Sequence, residues 1–151
     1  MLTVEQLLQL TPHSVRRRAT SPHFEVHHDA PHEDGRNKFH AIVANVRLYN
    51  PDASHDAYEA AIKNYGSKKK PTDLTLKADS RVWVHCECPY FTYYLEYVLE
   101  KSGSTDRRHA WNSPPDVRNP RHVPYVCKHL FALMLFLLAR AKSSPPGPKS
   151  R

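Results

Sequence analysis

The sequence predicts an α+β domain: an antiparallel sheet of three or more strands, packed by about three helices and stapled by one metal site. Three observations predict it. Residues 39–49 and 74–85 alternate apolar and polar side chains with the period-two rhythm of half-buried strands. Stretches beginning near Ser54, Pro89 and Lys128 carry the caps or the apolar stripes of helices. The three cysteines of the chain all fall into two spaced pairs, Cys86-Glu87-Cys88 and Cys127-Lys128-His129, a set suited to one tetrahedral zinc ion.

Taken in order, residues 1–22 read as a short N-terminal helix and a basic arm. Thr3 and Gln6 form a capping box, Leu2 and Leu7 a hydrophobic staple, and Pro12 stops the helix. A helix of two turns is marginal in water, so Leu7, Leu8 and Leu10 must dock either on this domain or on a neighbouring subunit. Arg16-Arg17-Arg18 reads first as a solvated linker and second as a phosphate contact.

Residues 23–141 form the single domain. The dense histidines and acids of residues 23–40 (His23, Glu25, His27, His28, Asp29, His32, Glu33, Asp34, His40) lack any recognised ligand spacing. They read as a polar hairpin turning at Asp34-Gly35. Alternation places Glu25, His27 and Asp29 on one face of its first strand. The hairpin pairs Phe24 and Val26 with residues 39–49, where Ile42, Ala44, Val46 and Leu48 share a face until Asn50-Pro51-Asp52 ends the strand.

Ser54 then caps an expected helix through Tyr65, with Asp56 and Glu59 in or near its first turn, Lys63 near its last, and Gly66 closing it. Lys68-Lys69-Lys70-Pro71 is an exposed loop. Alternation resumes with Leu74, Leu76, Ala78, Val82 and Val84, and this strand delivers the first cysteine pair. Beyond Pro89 a helix with the stripe Phe91, Tyr94, Leu95, Val98 and Leu99 runs to Gly103. Its aromatics Tyr90, Phe91, Tyr93, Tyr94 and Tyr97 fit a core better than a base-stacking surface.

Residues 104–126 read as a stiff, proline-rich excursion held by Trp111. Within it His109 and His122 are alternative ligands, each better read as ordinary. The last helix, residues 128–141, is apolar nearly all round and belongs between the sheet and other elements. Residues 142–151 have the composition of a Pro-rich basic tail.

The spacing of the cysteines can be tested against geometry. On an extended strand Cys86 and Cys88 face the same way, and a turn at Pro89 brings both to one ion. Cys127 and His129 do not share a face of a regular helix, so Cys127 belongs just before the first turn. The competing reading is three buried, unliganded cysteines and a chance histidine. The two matched pairs favour zinc over it. A disulfide framework fails, because three cysteines cannot pair completely.

Cys86-x-Cys88 followed at a distance by Cys127-x-His129, with a strand before and a helix after, resembles the SWIM-type zinc finger. Cys88-Pro89-Tyr90-Phe91, and Asn119-Pro120 leading into Cys127-Lys128-His129-Leu130, are also similar to small SWIM-like proteins of tailed bacteriophages. The resemblance spans residues 80–141 at most. It implies a strand-strand-helix module, one structural zinc on Cys86, Cys88, Cys127 and His129, and a role in binding DNA or protein, with no catalysis.

A length of 151 residues suits one domain, for which a metal staple is a useful supplement. A net charge of +7 suggests a negatively charged partner, and the basic groups Lys68, Lys69, Lys70, Arg107 and Arg108 are candidate contacts. Trp111 is the candidate aromatic anchor for a protein partner. The apolar run in residues 130–139 is too short to span a bilayer, so no membrane partner is expected. With no signal peptide or lipidation motif read at the start, a reducing cytosol is the expected compartment, with a virion as a further destination.

No Gly-rich phosphate loop, nucleophile elbow or paired-carboxylate signature occurs. The leading expectation is therefore a non-enzymatic zinc-binding structural or interaction protein, a component of a large assembly such as a tailed-phage virion. A SWIM-type nucleic-acid-binding module is the alternative, and a metal-dependent nuclease using residues 23–40 a distant third.

Overall fold

The computed structural model describes residues 1–34, 37–50, 54–65, 76–106, 119 and 121–143, without the side chains of residues 28–39, 50, 54–55 and 141–143. Four strands, β1 (His23–Asp34), β2 (Asn37–Asn50), β3 (Ser54–Asn64) and β4 (Val82–Cys86), form one antiparallel sheet in the order β1-β2-β3-β4. The helices are α1 (Val4–Leu10), α2 (His13–Arg16), a π-helical turn (Phe91–Leu95) running into α3 (Glu96–Lys101), and α4 (Lys128–Ser143).

Strand β2 is the spine of the core. Its alternate residues Ile42, Ala44, Val46 and Leu48 are buried on the face that α4 covers with Leu130, Leu133, Met134 and Leu137. As the alternation predicts, β1 pairs Phe24 with Val46 and Val26 with Ala44, and a bulge follows Val26. Asp34 pairs with Asn37, while Gly35 lies outside the described residues. Phe24 also stacks on Phe136 of α4, ring centroids 4.4 Å apart.

The expected helix from Ser54 to Tyr65 is instead strand β3. The Ala, Glu and Lys content of this segment is only a weak prior for helix, and tertiary pairing overrides it. With β2 on one side and β4 on the other, Ile62 pairs with both Ile42 and Val84. In that register the even positions Tyr58, Ala60, Ile62 and Asn64 point to the covered face, and Ala57, Glu59, Ala61 and Lys63 point away. The period was two, where the acidic start and basic end suggested a helical turn.

The expected strand over residues 74–85 is also shorter. Leu74 lies outside the described residues, Leu76 is buried in the core, and a turn closed by Ser80 N–H on the Lys77 carbonyl precedes β4. All five residues of β4 are buried, so its alternation does not report exposure. On its far face Trp83 lies beneath the Lys63 ammonium, 4.4 Å from the ring centroid, and stacks on His85.

Helix α1 docks on its own domain. Its capping box forms as expected, Val4 and Leu7 enter the common core, and Leu10 stays 41% exposed. Val4 and Glu5 N–H groups donate to the carbonyls of Ser80 and Ala78, while the Leu2 carbonyl accepts from Val82 N–H. Ser104 covers the next rung, accepting from Val84 N–H at 2.7 Å, so the outer edge of β4 is closed by the chain itself. Arg16 is committed too: its guanidinium donates to the Leu8 and Thr11 carbonyls, closing the end of α1, and lies over Phe131.

The helix after Pro89 opens with a π turn and ends at Gly103, whose φ of +77° places it in the left-handed region. Gly103 N–H donates to Glu100 and Ser104 N–H to Leu99, the paired bonds of a Schellman stop. A Cβ at Gly103 would stand 3.3 Å from the Met1 nitrogen.

Candidate metal centre

The sheet and α4 converge at one end, where β4 stops. Cys86 is its last residue, paired with Ala60, and Glu87 N–H donates to the Glu59 carbonyl for one further rung before the chain bends at Cys88. The backbone then folds back into the helical turn: Thr92 N–H donates to the Cys88 carbonyl, and Phe91 N–H to Cys88 Sγ at 3.4 Å. Cys127 sits immediately before α4, its carbonyl accepting from Phe131 N–H at 2.8 Å, and His129 lies in the first turn. Thr11 holds this approach by donating its hydroxyl to Leu7 and accepting from Val126 N–H.

The four side chains named from the sequence therefore meet. One ligand atom from each of Cys86, Cys88, Cys127 and His129 lies within 4.8 Å of all the others, and all four residues are buried. A tetrahedral cage with bonds of about 2.0–2.3 Å has edges of roughly 3.3–3.8 Å, so the atoms need to close in by at most about 1 Å around an ion. Among the described residues this is the one such group.

The fit to a metal rests on the histidine. His129 Nε2 stands 3.1 Å from Asp56 Oδ1, whereas Nδ1 is buried with no hydrogen-bond partner. An orphaned imidazole nitrogen beside three sulfurs is costly unless something binds it. The thiols carry the same message. Hydrogen bonds from Cys127 and then Cys86 hold the Cys88 thiol far below its ordinary range, while burial pushes Cys86 and Cys127 well above theirs. A divalent cation would stabilise all three as thiolates.

Asp56, expected near the first turn of a helix, is brought here by the β3 register. Its carboxylate is shared, with Oδ1 facing His129 and Oδ2 paired with the Lys128 ammonium. Tyr58, two residues along the same strand face, meets the His129 ring edge-on at 5.1 Å. Reading Asp56, Tyr58, Ala60 and Ile62 as alternation was the signal that would have found both.

Beside the centre lies a cleft of about 350 Å³, with Ser14, Val15 and Arg18 on one side and Tyr58, Pro89 and Tyr90 among its other walls. Cys88 and His129 line it, whereas Cys86 and Cys127 do not.

The candidate partner-binding residues Lys68, Lys69, Lys70, Arg107, Arg108 and Trp111 lie outside the described residues, as does His109. His122 is exposed, adopts a left-handed φ of 52° and packs against Tyr97, apart from the cysteines. Among the aromatics after Pro89, Phe91 is buried in the core. Tyr90 and Tyr94 pack edge to face, and the Tyr90 hydroxyl bonds that of Tyr125, whose ionisation burial and this contact push upward. Tyr93 is 53% exposed. In the hairpin, Glu25 and His27 lie 3.9 Å apart with Glu59 3.4 Å from His27, but the bulge after Val26 shifts the register, so Asp29 pairs with Ile42 where Glu25 pairs with Asn45 and the expected alternation through Asp29 is broken. Among the described residues, no helix is long and apolar enough to cross a membrane.

Fold and site together define an α+β domain with a buried candidate metal centre of three cysteines and one histidine. The chain matches no protein-family model, no curated protein and no solved structure.

Proposed function

We propose that Cys86, Cys88, Cys127 and His129 hold one zinc ion, and that the ion is structural, tying the end of β4 to the start of α4 in a SWIM-like module. The observation that carries this is the meeting of four buried ligand atoms, one each from Cys86, Cys88, Cys127 and His129, all within 4.8 Å of one another. With four protein ligands zinc has no open position for water or substrate, so the protein works by binding and not by catalysis. Elemental analysis tests the metal: one zinc per chain is expected, and a metal-free, fully folded protein would refute it.

Its role in this reading is that of an interaction component of a larger protein assembly. Leu10, Tyr93 and Leu135 are exposed apolar and aromatic side chains available to a protein partner. The similarity to small tailed-phage proteins is what points to a virion as the assembly.

Nucleic-acid binding is the second reading, favoured by the net charge of +7 and by the exposed Arg18 at the cleft. A salt titration separates the two. A nucleic-acid module loses about 0.9 log units of DNA affinity per neutralised phosphate for each log unit of salt. Tight binding at physiological salt that a Lys68, Lys69 and Lys70 triple alanine variant loses would favour it over the assembly role.

A further inference from the structure

Of the four candidate ligands, two face the cleft. All three cysteines belong to the buried core, but Cys88 and His129 also form part of the cleft's lining, while Cys86 and Cys127 do not. A volume of about 350 Å³ is many times that of a water molecule, so a small solute has room to come up against Cys88, which is itself buried. The same side of the centre carries Arg18 and Lys128, cations that stabilise negative charge leaving a reacting group. Among the described residues, Cys86 and Cys127 do not line this cleft. Oxidation of cysteine follows thiolate character and access, and metal ligation supplies the first to all three sulfurs alike. Access therefore separates them.

We propose that Cys88 is the oxidation site of this centre, reached through the cleft by hydrogen peroxide, and that its oxidation releases the metal. The proposal rests on the zinc reading. In the first step the Cys88 sulfur attacks one peroxide oxygen; the S–O bond forms, the O–O bond breaks, and hydroxide leaves. In the second, the Cys86 or Cys127 thiolate, each with its sulfur within 4.8 Å, attacks the sulfenic sulfur. The S–S bond forms and the second hydroxide departs. Two thiolates have then given two electrons to one peroxide, the ion has lost two of its four ligands, and it dissociates.

The experiment treats the purified, metal-loaded protein with substoichiometric hydrogen peroxide, in the presence of dimedone to trap sulfenic acid and a chelating chromophore to report released zinc. Peptide mass spectrometry assigns the adduct. The expected result is first labelling at Cys88, with zinc release at the same rate. First labelling at Cys86 or Cys127, or equal labelling of all three, would overturn the proposal. Ser14→Trp provides a second arm, because Ser14 is exposed at the cleft and ligates nothing. The bulkier side chain should leave the zinc content at one per chain and slow Cys88 labelling roughly tenfold, as access controls thiol oxidation. An unchanged rate counts against the cleft as the route. If the purified protein holds no zinc, the chromophore stays silent and the zinc reading fails by itself, while the order of labelling still decides whether Cys88 is the accessible sulfur.

Discussion

Asp56 Oδ1 lies 3.1 Å from His129 Nε2, and this contact orients the only nitrogen of the candidate centre. A carboxylate on the far nitrogen of a ligating imidazole fixes its tautomer and raises its basicity, and losing such a partner costs about 10–100-fold in metal affinity. Asp56→Ala should therefore weaken zinc binding by that factor in competition with a chromophoric chelator. Asp56→Asn keeps a hydrogen-bond acceptor but loses the ion pair with Lys128, so its loss should be smaller. Equal affinities for all three proteins would show that Asp56 does not hold the histidine.

Removal of a ligand should be more severe. Cys127 joins the loop to α4 at the centre, and zinc binding in sites of this type is folding free energy, with apparent values of roughly 10–16 kcal/mol in small zinc domains. Cys127→Ser is expected to bring zinc from one per chain to near zero and to lower thermal stability sharply, as is chelation of the wild type. A melting temperature indifferent to both would mean that the core stands without the ion.

Metal binding should release protons. Burial pushes the Cys86 and Cys127 thiols above their ordinary range, so both are protonated in the metal-free protein at neutral pH and zinc must displace their protons. Raised thiol values favour the protonated, metal-free protein at low pH, so apparent affinity should rise with pH through the neutral range. Isothermal titrations in buffers of different ionisation enthalpy detect the release directly; binding without proton release would contradict ligation by these thiols.

Asn119 organises the chain before the second ligand pair. Its amide donates to the Tyr94 carbonyl inside the π turn and to Val123, and its carbonyl accepts from Val123 N–H at 3.0 Å. The side chain is buried, so Asn119→Ala leaves partners unsatisfied at about 1–3 kcal/mol. Chemical denaturation should show a lower midpoint with unchanged slope and full zinc content. No change in midpoint would mean that water replaces the amide.

The sequence by itself determined the elements whose signals are local. Thr3 and Gln6 cap α1 through neighbours three residues apart, Gly103 ends its helix because a left-handed residue is needed there, and Ile42, Ala44, Val46 and Leu48 mark one strand face. The two cysteine pairs were equally legible, since ligand spacing is covalent. Tertiary structure decided what depends on neighbours distant in the chain. Residues 54–64 have the composition of a helix and become β3 because β2 and β4 offer hydrogen bonds on both sides. That register alone carries Asp56 across 73 residues of sequence to His129. Arg16 likewise reads as part of a basic triplet, yet closes α1 against Phe131, because free carbonyls at a helix end and an aromatic face exist only once the chain has folded.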